Sequence, residues 1–139
     1  MWRMRSVRLS EGRRGGVVIL ESLAVLVILV MGLLAVIQWS LLMMTHAGVT
    51  AAAAEGARVA ARAVFDSSRQ VDTEAAVLQI LAAHGVGLPQ TVVVTDLGSA
   101  VQVTVTVPMT STGVSDLLGG FGFTLSGNSL QVSSTASKT

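Results

Sequence analysis

From Val17 to Met44 the chain is apolar almost without interruption, broken only by Glu21, Ser22, Gln38 and Ser40. No other stretch constrains the fold as strongly. As an α-helix it is about 42 Å long, more than the roughly 30 Å hydrocarbon core of a bilayer. It is also longer than the apolar core of an ordinary secretory signal, about 7–15 residues. A span is therefore expected over residues 17–44. Its one carboxylate, Glu21, needs a reason, since a charge at the bilayer centre costs roughly 2.5–3.5 kcal/mol on insertion scales.

Charge is sparse over the whole chain, 12% against 51% hydrophobic residues, and it is unevenly placed. Arg3, Arg5, Arg8, Arg13 and Arg14 against Glu11 give residues 1–16 a net +4, while the rest of the chain carries −3. A basic cluster directly before an apolar span holds that end in the cytoplasm. The expected topology is a single pass, N-terminus inside and residues 45–139 outside. The same arginines lack interleaved aromatic residues beyond Trp2, so membrane orientation explains them better than nucleic-acid binding. The chain has no cysteine, which removes disulfides and thiolate chemistry.

The leader ends in Gly15-Gly16, and Glu21 follows as the fifth residue after Gly16. This pattern resembles the class III signal of type IV pilins and pseudopilins, although Ser22 stands where Flp-type pilins usually carry an aromatic residue. The resemblance implies cleavage between Gly16 and Val17 by a prepilin peptidase. Glu21 would then be the counter-charge for the freed α-amine of a neighbouring subunit. An uncleaved single-pass anchor carrying an outer binding domain is the alternative.

Beyond Thr45 the chain turns to alanine, with Ala51 to Ala54, Ala57, Ala60, Ala61 and Ala63. Alanine is the strongest helix former and no proline intervenes, so the membrane helix is expected to continue outward as one rod to about Val64. Ala53, Ala57 and Ala61 recur at i, i+4, i+8, a small-residue stripe that admits a close neighbour. That neighbour is either a partner helix or the chain's own sheet. The run Ala51-Ala52-Ala53-Ala54-Glu55-Gly56-Ala57-Arg58-Val59-Ala60-Ala61 resembles the A-x-E-G-A-R-x-A segment of the TadE-like family, minor pseudopilins of Flp (tight adherence) pili. The resemblance implies other pilin subunits and the pilus assembly machinery as partners, with no cofactor and no catalysis.

Asp66-Ser67-Ser68 is read as the end of the rod. Asp72 is read as the cap of a second helix over Thr73–Ala83, stopped by Gly85. After Pro89 the period changes to two. Thr91–Leu97 reads as a strand, and Val101, Val103, Val105 and Val107 alternate with polar residues as the clearest strand of the chain. Pro108 ends it, and a Leu-Leu-Gly loop follows. Phe123–Leu125 and Leu130–Ser134 are expected to form a last strand or a hairpin about Gly127-Asn128, with a frayed Ser/Thr-rich tail. The valine-threonine strand, the proline, the loop and the last strand also resemble the TadE-like C-terminus. The fold class expected is α+β: a long helix, a short helix and a small antiparallel sheet. No H-E-x-x-H, Walker A or G-x-S-x-G motif is present, and Gly120-Phe121-Gly122 reads as a turn.

Overall fold

The computed structural model describes residues 11–63, 66–89 and 91–138. Residues 1–10 of the expected leader, together with Val64, Phe65, Gln90 and Thr139, lie outside the described residues. The fold is α+β: two helices and a three-stranded antiparallel sheet. The first helix, α1, runs unbroken over Glu11–Arg62, 52 residues and about 78 Å. It starts inside the expected leader and passes through Gly16 without a break.

The second helix, α2, spans Asp66–Ala83. It begins at the very triplet expected to break the rod, so Asp72 sits inside the helix, exposed, and is not its cap. Asp and Ser suit a helix start as readily as a helix stop. Here the break falls one step earlier, between Arg62 and Asp66, and folds α2 back onto α1. The other end of α2 behaves as expected. Gly85 takes φ +67, its N–H donates to the Ala82 carbonyl at 3.0 Å, and the Val86 N–H donates to the Leu81 carbonyl at 2.9 Å. This is a Schellman closure, and its two hydrophobic partners, Leu81 and Val86, are both buried.

The strands β1 (Thr91–Asp96), β2 (Ala100–Pro108) and β3 (Ser129–Ser137) lie in the order β1-β2-β3. Alternation on β2 decides which face is covered. Val101, Val103, Val105 and Val107 are fully buried under the helices, and the residues between them are half-exposed on the far side. Antiparallel register places Val92 and Val94 of β1 and Leu130, Val132 and Ala136 of β3 beside those valines. Of the two expected endings, last strand or hairpin, the strand forms. Phe123–Leu125 lies in the loop, and Ser133–Ser137, read as fraying, pairs with Ala100–Thr104. Serine and threonine suit this strand because its other face is open to water.

The helices meet the sheet through small residues. On α1 the buried positions beyond Gln38 and Thr45 are Gly48, Val49, Ala52, Ala53, Gly56, Ala57 and Ala60. Gly48, Ala52, Gly56 and Ala60 form a second stripe beside the expected one, again four residues apart. At Gly56 a Cβ would stand 2.7 Å from the Cγ2 of Val77 and 3.4 Å from side-chain carbons of both Thr73 and Val103. Helix α2 and strand β2 both close on that point. A Cβ at Gly48 would stand 3.0 Å from His84. Gly32, by contrast, has nothing within 4 Å.

Substituting Gly56→Leu is expected to destabilise the full chain by about 1–3 kcal/mol through overpacking, despite the better helix propensity of leucine. Gly32→Leu should cause no loss. Thermal unfolding of both variants in detergent, followed by circular dichroism, compares them directly. Equal melting temperatures would contradict the packing assigned to Gly56.

Candidate functional site: the membrane helix and its junction with the head

Below the head, α1 is bare. From Gly16 to Ile37 every residue is exposed except Met31 and Leu34, which are half-covered. The most apolar window has a mean hydropathy of 2.9, and none of it is buried inside the protein. A helix this apolar that no other part of the chain covers is not a core helix. It points to a single-pass membrane protein.

Within this bare half, Val17 is 64% exposed and the bond from Gly16 to Val17 lies inside regular helix. Glu21 is exposed, with no hydrogen-bond or ion-pair partner among the described residues. It lies one turn above Val17, about 6 Å along the axis. The structure thus leaves the apolar surface and its carboxylate open to whatever surrounds the helix.

The alanine stripe has a different fate. Ala53 and Ala57 are fully buried and Ala61 half-buried, and the head of the same chain covers them. Of the two neighbours that sequence allowed for this face, the chain's own α2 and sheet occupy it. Glu55 and Arg58 flank it as an exposed pair at 3.4 Å, of a kind worth about 0–1 kcal/mol.

Three polar contacts fix the head, and sequence reasoning found none of them. Gln38, 8% exposed, accepts the Leu118 backbone N–H on Oε1 at 3.2 Å, tying the β2–β3 loop to the start of the junction. Gln70 of α2 donates through Nε2 to the Val92 carbonyl at 2.9 Å and to Glu74, covering one carbonyl of the β1 edge. Asp96, at the end of β1, accepts from Lys138, from the Gly98 N–H at 2.8 Å and from Arg69 at 2.8 Å. It therefore clamps α2, the β1–β2 turn and the end of β3 together. The Lys138 hydrogen bond above all, then the Gly98 N–H and Arg69, hold its carboxyl down to about 2. The partners of Asp96 stand 27 and 42 residues away, beyond the reach of any local pattern.

An open groove of about 460 Å³ lies between α2 and β1, lined by Glu74, Leu78, Leu88, Pro89 and Thr91 to Val93. Its one acid is already hydrogen-bonded to Gln70. Among the described residues no three His, Asp or Glu side chains stand together as a metal site.

A bare apolar helix carrying a small α+β head defines a class, the single-pass membrane proteins that carry a compact domain on one helix. Within that class, residues 16–58 match the family model described as TadE-like protein. The match begins at Gly16, takes in the bare span and ends at Arg58 in the Ala-Glu-Gly-Ala-Arg segment, so the resemblance of the C-terminal strands lies outside it. No curated protein and no solved structure matches the chain. The match supports a Tad/Flp pilus-associated protein and points to pilus subunits and assembly machinery as associates.

Asp96 supplies a pH test of the head. Its carboxyl is held below the ordinary value of 3.8, so the stabilisation it contributes is complete above about pH 4 and fades as pH falls toward 2. Asp96→Asn should lower the melting temperature at pH 6 and flatten its decline between pH 4 and 2. Parallel acid melts of the wild type and the variant check this, and unchanged slopes would remove the clamp.

Proposed function

We propose that the chain is a pseudopilin, a structural subunit for assembly of Flp-type (type IVb) pili, made as a precursor and cut between Gly16 and Val17 by a prepilin peptidase. The observation that carries this reading is Glu21, an exposed and unpartnered carboxylate one turn above Val17 on a helix surface otherwise apolar and bare. Cleavage would create an α-amine at Val17. Bundling the bare halves of several subunits would bring that amine to the Glu21 of a neighbour. Two opposite charges 4 Å apart attract by about 4 kcal/mol at an effective dielectric constant of 20, the same order as the cost of holding one carboxylate in the membrane. The pairing therefore offsets the penalty only when subunits associate, which makes it a device for register and assembly.

Cleavage within a helix requires local unwinding. Two adjacent glycines at the cut lower its cost, since each disfavours helix by about 1 kcal/mol relative to alanine. The partners of this reading are the peptidase, other pilin subunits, the assembly machinery and the membrane. The subunit would sit in the bacterial inner membrane with its head outside, and reach the pilus or cell surface after processing. The second reading, an uncleaved anchor with an outer binding domain, draws on the continuity of α1 from Glu11 through Gly16.

The intact mass of the membrane form separates the two. Loss of residues 1–16 is expected, and a chain beginning at Met1 in cells with an active peptidase would sink the pilin reading. Glu21→Ala should still be cut but should be lost from the assembled pilus fraction. Normal incorporation of that variant would rule out the pairing role.

A further inference from the structure

We infer that the β2–β3 loop is a second membrane contact: Phe121 and Phe123 seat in the lipid interface and hold the head down on the bilayer. The inference rests on the single-pass reading of α1.

The loop is tied to the helix at one height. Gln38 accepts the Leu118 N–H, and Gln38 is also the first fully covered position on α1. Below it lie the bare residues, and Val17–Ile37 makes 21 of them, about 31 Å of helix against a hydrocarbon core of roughly 30 Å. The head therefore begins where a bilayer of ordinary thickness ends, six residues before the end of the apolar run at Met44.

At that height the loop shows apolar surface with no opposing protein. Phe121 is 48% exposed and Phe123 63%, while Trp39, next to Gln38, is 62% exposed. Aromatic side chains with an apolar body favour the headgroup boundary. The segment between Asp96 and Lys138 carries a single charge, Asp116, an exposed carboxylate engaged within the loop: it accepts the Leu125 N–H at 3.1 Å and the Thr124 hydroxyl at 3.0 Å. The Leu118 carbonyl accepts both the Phe121 N–H at 2.9 Å and the Phe123 N–H at 3.3 Å. The two phenylalanines are thus presented from a hydrogen-bonded turn. The occupant that fits is lipid, because the loop is tied to α1 at the upper end of the span and its one carboxylate is already engaged within the loop.

The chain has no cysteine, so a single introduced thiol can report on the site. Gly120 has open space around its Cβ position, and Gly120→Cys leaves both phenylalanines in place. The full chain, labelled there with an environment-sensitive nitrobenzoxadiazole dye, would be placed one copy per nanodisc of phosphatidylcholine and phosphatidylglycerol. Leu26→Cys in the span and Ser99→Cys in the β1–β2 turn serve as references. The Gly120 probe should be blue-shifted, shielded from iodide and quenched by nitroxide lipids labelled near the headgroup, and the Leu26 probe by deeply labelled ones. The Ser99 probe should stay aqueous. Adding Phe121→Ser and Phe123→Ser should return the Gly120 probe to the Ser99 behaviour.

A Gly120 probe in water, with Leu26 in lipid, overturns the loop contact and leaves the span standing. An aqueous Leu26 overturns both. Shielding from iodide without lipid quenching means that protein covers the loop, which also overturns the proposal. So does a lipid signal that survives loss of both phenylalanines.

Discussion

The structure depends on how closely α1 can be approached above Gln38. Its upper half offers glycine and alanine where a globular helix would offer leucine, so α2 and the valine face of β2 reach the helix backbone itself. Close approach compensates for the small area each alanine can bury. The bulk comes from the other side: Val77 and Leu81 of α2 and four valines of β2, each worth about 1.5–3 kcal/mol when fully buried. One helix thus serves as the wall of a small core and as the shaft that leaves it. A larger residue at Gly56 would push two elements away at once.

How much of this was legible in sequence follows from how local each signal is. The period-two valines of β2 and the Gly85 stop of α2 depend on neighbours within five residues, and both stand where expected. The start of α2 does not, because Asp-Ser-Ser satisfies backbone groups equally well at the end of one helix or the start of the next. The run of β3 to Ser137 depends on pairing with β2, which supplies hydrogen bonds that the Ser/Thr tail cannot signal alone. At the candidate site, the apolar run and the Gly16, Val17 and Glu21 pattern stood in plain view. The second stripe of Gly48, Ala52, Gly56 and Ala60 was equally present. Glycine in a helix lowers propensity, and only the neighbours brought by the fold show why these positions stay small.

The contacts that orient the head were out of reach for a different reason. Gln38 and Leu118 are 80 residues apart, and Asp96 and Lys138 are 42 apart. Nothing in the residue types foretells that a glutamine in an apolar run is held by a backbone N–H of a distant loop. The glutamine itself was a usable clue: a buried amide side chain needs a partner, and no nearby residue on α1 offers a matching donor.

These two halves of α1 divide the work of the chain. Above Gln38 the molecule's own head occupies one face of the helix, and further association through that face would require unfolding it. Between Gly16 and Ile37 the surface is exposed except at Met31 and Leu34, which are half-covered, and Glu21 is its single charge. In this lower half, apolar side chains gain nothing by leaving lipid for one another except better packing. Under that condition a carboxylate is the one group on the surface whose energy changes strongly with its neighbours. On the proposed reading its position, a turn from the end that cleavage would create, would give an otherwise indifferent apolar rod a preferred stagger against the next.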